Sequence, residues 1–113
     1  MTIQINGRKN SSETRKAMRF FSERGIEFHL RDVVEKPLAA GEIENICRSI
    51  AIEDLIDTSS TRYNKRGLAH MIFDARGEIA DDPLLLRLPI VRNGREATIG
   101  YAPSDWERWI KDG

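Results

Sequence analysis

The chain carries a single cysteine, Cys47, among its 113 residues. One thiol excludes an internal disulfide, a Cys-x-x-Cys redox pair and a cysteine-rich zinc site. His29 and His70 have no second ligand at metal-binding spacing, so no metal site is expected. An excess of one charge sign is also missing: 18 basic residues balance 18 acidic ones, and the isoelectric point is about 6.7. Such a chain has no strong field to collect nucleic acid or anionic lipid, so direct contact with either is not expected. No apolar run approaches the ~20 residues of a membrane span. The opening Met-Thr-Ile-Gln-Ile-Asn has neither the basic nor the apolar region of a signal peptide, which points to a cytoplasmic protein. What is present, 40% apolar and 32% charged residues, is the composition of an ordinary folded chain, read as one domain over residues 1–113.

Thr2 to Asn6 alternate in polarity, with Ile3 and Ile5 on one face, and predict a half-buried strand. Asn6-Gly7 marks a turn. Ala17, Phe20 and Phe21 follow at helical spacing and Gly25 supplies a stop, so a helix from about Ser12 to Arg24 is predicted. Asn10 with Glu13 fits a capping box, and Ser11 or Ser12 could cap instead. Ile26, Phe28 and Leu30 alternate with Glu27, His29 and Arg31 in a second half-buried strand, parallel to the first. Lys36-Pro37-Leu38 breaks the pattern. Ile43, Ile46, Cys47 and Ile50 form an amphipathic helix, with Cys47 as a buried structural thiol. Ile52, Leu55 and Ile56 suggest a further turn, and Asp57 to Thr61 a loop. Tyr63, Leu68, Met71 and Ile72 hint at another helix. Gly77 and Ala80-Asp81-Asp82-Pro83 mark a break, before a short buried turn at Leu84-Leu85-Leu86. Pro89-Ile90-Val91 opens a strand, Asn93-Gly94 signals a type I′ hairpin, and Ala97, Ile99 and Tyr101 alternate on the return. Ser104 and Glu107 form a capping box for a closing helix whose buried stripe is Trp106, Trp109 and Ile110. The order βαβ, helical insertion (about 40–86), ββα is the layout of an α/β thioredoxin-like fold with a central four-stranded mixed sheet.

Six stretches, in order, resemble the arsenate reductase (ArsC)/Spx family. Ser11-Ser12-Glu13-Thr14-Arg15-Lys16-Ala17 is similar to that family's Cys-x-x-Cys-Arg-Lys-Ala or Cys-Ser-x-Thr-Arg-Lys-Ala segment. Gly25-Ile26, Arg31-Asp32 and Lys36-Pro37-Leu38 resemble its second-strand region. Leu55-Ile56-Asp57-Thr58-Ser59, with Tyr63 and Gly67-Leu68, resembles its Leu-Ile-Asn-Thr-Arg-Ser stretch with the later Tyr and Gly-Leu. Leu88-Pro89-Ile90-Val91 resembles its Arg-Pro-Ile-Val, and Gly100-Tyr101 with Trp106 its closing Gly-Phe and Trp. The resemblance implies a thioredoxin-like fold, a cis Pro89 beside the site, and arsenate reduction by a cysteine at a helix start, resolved by glutathione and glutaredoxin. Glutathione would then be a co-substrate rather than a bound cofactor. A helix N-terminus suits that chemistry, because its free amides and partial positive charge favour a thiolate and an oxyanion.

This chain departs from the family pattern where the chemistry lies. The nucleophile position falls on Ser11 and the optional second cysteine on Thr14. A serine hydroxyl needs a base to act as a nucleophile and cannot enter thiol exchange. The three oxyanion arginines fall near Asp57 to Ser59, on Leu88 and on Tyr101; Arg62, Arg87, Arg92 and Arg95 stand nearby in sequence. The candidate site is therefore Ser11 at the nucleophile position with Arg15, and Asn10, Ser12, Thr14, Leu88, Pro89 and Tyr101 as binding positions. Arg8-Lys9 and Arg15-Lys16 place cations around one helix start, either as a solvated face or as an attraction for an oxyanion. The expected function is a reductase homologue that is inactive because Ser11 replaces the cysteine. The alternative is a non-catalytic binding module, or an Spx-like regulator contacting RNA polymerase at the C-terminal domain of its α chain.

Overall fold

The computed structural model describes all 113 residues. Its strands are β1 (Ile3–Gly7), β2 (Phe28–Asp32), β3 (Ile90–Asn93) and β4 (Glu96–Ile99). Its helices are α1 (Ser12–Glu23), α2 (Ala40–Ile46), α3 (Thr61–Lys65), α4 (Ala75–Asp81) and α5 (Pro103–Asp112), with 3₁₀ turns at Ile52–Leu55, Leu68–His70 and Pro83–Leu85. The sheet runs β2-β1-β3-β4; β1 and β2 are parallel and the other pairs antiparallel. This is the mixed four-stranded thioredoxin-like sheet that the element order implies, with α2 to α4 inserted between β2 and β3.

Alternation along the strands divides the apolar residues between two cores. Ile3, Ile5 and Val91 face α1 and α5 and pack on Ala17, Phe20, Phe21, Trp106 and Trp109. Ile90 faces the insertion, where Val33, Leu38, Ile43, Ile46, Leu55, Ile56, Ile79 and Leu86 gather, and Ala97 and Ile99 pack against them. Trp106 is fully buried, lies 5.2 Å from the Phe20 ring, and donates its indole N–H to the Thr98 hydroxyl at 2.9 Å. That bond satisfies two polar groups that burial would otherwise leave unpaired.

Several local expectations are corrected. In the hairpin, Asn93 stays extended because it pairs with Ile3 on one side and Glu96 on the other. The two-residue loop is therefore Gly94-Arg95, and only Gly94 has positive φ, +60°, as in a type II′ turn. Helix α5 begins at Pro103 with Ala102 as its cap, so Ser104 lies inside the helix and the Ser104–Glu107 box does not form; proline needs no N–H at a first helical position. Gly77 lies inside α4, where its N–H donates to the Asp74 carboxylate at 3.2 Å. Gly67, with φ +65°, ends the helical stretch, and Met71 and Ile72 are exposed rather than helical. Helix α2 stops at Ile46, leaving Cys47 and Ile50 half-buried against the core, and burial pushes the Cys47 thiol up. Leu30 is 37% exposed because β2 is an edge strand with one neighbour.

The insertion is closed by an ionic knot. Arg62 and Arg66 donate to Asp82 at 2.7 and 3.0 Å, and Arg66 also pairs with Glu78. Burial raises the Asp82 pKa, but the two guanidinium hydrogen bonds outweigh it and hold the carboxyl below its usual range. A depressed folded-state pKa stabilises the fold above the unfolded value, about 4, and that contribution is lost as pH falls through the lower folded value. Urea unfolding at pH 6 and pH 3 should therefore show a loss of stability on acidification that shrinks in Asp82→Asn. An equal loss in both chains would place the acid sensitivity elsewhere.

Candidate functional site

The candidate site is built where β1 hands over to α1. Gly7 ends β1 against Thr14, and a Cβ on Gly7 would lie 2.3 Å from Thr14 Oγ1, so only glycine fits. Thr14 is fully buried, and its hydroxyl accepts from the Arg8 N–H at 3.3 Å. Between these anchors the chain turns tightly: the Ser11 N–H donates to the Arg8 carbonyl at 3.0 Å. Ser11 itself is extended, with φ −84° and ψ 120°, and is the N-cap. Its Oγ accepts from the Thr14 N–H at 3.2 Å. The cap is thus Ser11 and not Asn10, which sits exposed in the preceding turn.

A cleft of about 310 Å³ opens beside this helix start. Arg8, Asn10, Ser11 and Glu13 line one side, and Asp57, Ser60, Leu86 and Leu88 line the other. Its lining sets one guanidinium against two carboxylates, Glu13 and Asp57, of which Glu13 is itself paired with the Lys16 ammonium at 3.1 Å. Asp57 is held in place by accepting from the Ser59 N–H at 3.0 Å and hydroxyl at 2.6 Å. The helix end attracts an anion, but these carboxylates repel one at the same place.

The structure brings some of the predicted residues together and separates others. Asn10, Ser11 and Leu88 line the cleft, and Thr14 lies buried beneath it. Ser12 is exposed at the helix start. Arg15 turns back, donating to the Lys9 carbonyl at 2.8 Å, so it braces the turn rather than facing a ligand. Pro89 is buried, follows a cis Leu88–Pro89 bond, and accepts from the Gly100 N–H at 2.9 Å. Tyr101 leaves the site: its ring stands edge-on to Trp106 at 5.5 Å, with the Lys16 ammonium 5.9 Å from its centre. None of Arg62, Arg87, Arg92 and Arg95 lines the cleft, and Arg62 is committed to Asp82. Of the cleft's charges, sequence reasoning placed Arg8 at the helix start but missed Glu13 and Asp57, and it also missed Asn6. That amide is fully buried, donates to the Ile90 carbonyl at 3.1 Å, and leaves its Oδ1 without a protein partner. No three histidine, cysteine or carboxylate side chains converge to hold a metal ion.

With the geometry in view, comparison with known proteins places the fold. The sequence model of the ArsC family matches residues 7–109. The chain belongs to the ArsC family. A curated relative, the global transcriptional regulator Spx 2 of Oceanobacillus iheyensis, is 27% identical over 97% of this chain and 84% of its own length. An ArsC family related protein from Bacteroides fragilis superposes with a TM-score of 0.84 at 22% identity, covering 96% of this chain and 97% of its own. The arsenate reductase from Vibrio cholerae gives 0.82 at 17% identity, covering 96% and 97%. The ArsC scaffold is therefore kept almost end to end, and the first long helix of that scaffold starts on a capping serine.

The cap sets a measurable energy. Ser11→Ala should lower stability by about 1 kcal/mol, as loss of a serine cap does. Gly7→Ala should cost more, about 1–3 kcal/mol, because Thr14 must move. Urea midpoints measure both; an unchanged midpoint in Ser11→Ala would mean that the hydroxyl carries no capping energy.

Proposed function

We propose that this chain is a non-catalytic, Spx-like member of the ArsC family, a regulatory or binding module that contacts a protein partner and does not reduce arsenate through a thiol. The observation that carries this reading is the state of Ser11. Its oxygen accepts the Thr14 N–H, and no carboxylate or imidazole hydrogen-bonds to it to draw off its proton. Serine cannot form the mixed disulfide that glutathione or glutaredoxin would resolve. The one thiol, Cys47, sits half-buried in the insertion, away from the residues that line the cleft. Glu13 and Asp57 on the rim weigh further against an oxyanion substrate.

The partner half of the reading rests on likeness. The curated relative is a transcriptional regulator. The Spx resemblance implies binding to the C-terminal domain of the RNA polymerase α chain, with a Cys-x-x-Cys as the redox switch. This chain has no such pair. Its contact with a partner is therefore constitutive, indifferent to oxidants.

The test combines turnover and binding. With glutathione and glutaredoxin supplied, arsenate-dependent glutathione oxidation should not exceed the protein-free control. The purified C-terminal domain of the polymerase α chain should be retained equally on the immobilised protein in dithiothreitol and in diamide. Turnover above the control overturns the non-catalytic reading. Binding that diamide abolishes overturns the constitutive one, and absence of binding in both buffers removes RNA polymerase as the partner.

A further inference from the structure

Strand β2 ends the sheet and has no neighbour beyond it. Its pairing with β1 is continuous from Phe28 to Asp32, with no proline or bulge, and its charges, Arg31 and Asp32, gather at its C-terminal end. Backbone N–H and C=O groups of successive strand residues point to opposite sides. The Val33 N–H donates to the Gly7 carbonyl on β1, so Phe28, Leu30 and Asp32 turn their backbone groups outward; the Asp32 carbonyl is taken by the Lys36 N–H at 2.9 Å, which leaves Phe28 and Leu30 as the open edge. Leu30 is one of the few large apolar side chains left exposed, and Val34 is another.

The sequence of this edge is complementary to itself. We propose that β2 pairs antiparallel with β2 of a second copy of this chain, about a two-fold axis through His29, to give one continuous eight-stranded sheet. A two-fold antiparallel pair must set outward-facing residues against each other, which axes at Phe28, His29, Leu30 and Arg31 all do. The axis at Arg31 would set that cation against its own copy and Leu30 against Asp32. The axis at His29 places Phe28 opposite Leu30 of the second copy and Glu27 opposite its Arg31, each twice by symmetry. The axis at Leu30 would set Phe28 against a carboxylate, Asp32. The axis at Phe28 would strand Arg31 against the Gly25 turn. Charge and apolarity therefore select His29. Glu27 has no ion-pair partner within its own chain, and Arg31 is held in place by Glu42 of α2. The pair would cover Leu30 and satisfy the open backbone edge. Opposite charges and apolar pairs facing across strands are the contacts that stabilise such ladders. A strand pair of this length makes a small interface, so the dimer is reversible and concentration-dependent.

Sedimentation equilibrium on the whole chain tests this. The mass should rise from 12.9 kDa towards twice that value as the concentration approaches millimolar. Glu27→Arg and Arg31→Glu should each remain monomeric. Their equimolar mixture should dimerise again, because each reversed charge then meets its opposite. Leu30→Pro removes an outward N–H without touching the β1 ladder, so it should keep the far-ultraviolet circular dichroism and lose association. Arg31→Glu also breaks the Glu42 pair; should it fail to fold, Glu27→Arg and Leu30→Pro decide alone. A parent chain that stays monomeric at millimolar concentration overturns the proposal. So does a dimer that survives both of those variants.

Discussion

The contact between Gly7 and Thr14 determines everything at the head of α1. A hydrogen at Gly7 Cα lets the helix start descend onto the end of β1, and the buried Thr14 hydroxyl then ties the backbone of Arg8. Ser11 has little freedom after that. Its backbone is pinned to the Arg8 and Arg15 backbones, and its side chain meets the Thr14 N–H. Arg15, reaching back to Lys9, closes the same turn from outside. A site that needs a mobile or activated group at this position does not have one. A site that needs a rigid, well-capped helix start does.

The same fold can therefore serve different chemistry by changing very little. Two features of ArsC reductases would have to meet here: a thiolate at the helix start, and positive charge to hold an oxyanion against it. In this chain the first is a hydroxyl acting as a cap. The second is replaced by Glu13 and Asp57, offset by Arg8 in the cleft and by Lys16, which pairs with Glu13 at 3.1 Å. The remaining arginines near the site serve the scaffold: Arg62 and Arg66 knot the insertion around Asp82, and that knot holds α3 and α4 beside the cleft wall. What the chain retains of its family is shape, two cores and a helix end.

The strands and the two long helices were legible because their apolar periods run long enough to be unambiguous. Phe20, Phe21, Trp106 and Trp109 are buried as their spacing demands. The insertion was harder, since α2, α3 and α4 have five to seven residues each. Two turns or fewer do not establish a period, so Met71 and Ile72 read as helix although Gly67 had already ended it, and Gly77 read as a break although Asp74 caps a helix through it. Tertiary context decided other points. Asn93 looked like a turn residue but is held extended by strands on both sides. Asn6 looked like the solvent-facing residue of a half-buried strand, but both faces of the sheet are covered. Ser11 was legible as one of the candidate caps of α1. The rim charges were not, because Asp57 of the insertion and Glu13 of α1 are far apart in sequence and line one cleft only in the folded chain.

The most direct test of this account is the thiol pKa of Ser11→Cys, read from the ultraviolet absorbance of the thiolate with the parent chain subtracted to remove Cys47. The account predicts a value near the ordinary thiol's, about 8.5, because Glu13 and Asp57 oppose the pull of the helix end. A thiol depressed below about 6.5, within the range of reactive cysteines at helix N-termini, would contradict it. The cleft would then be a working reductase site lacking only its sulfur.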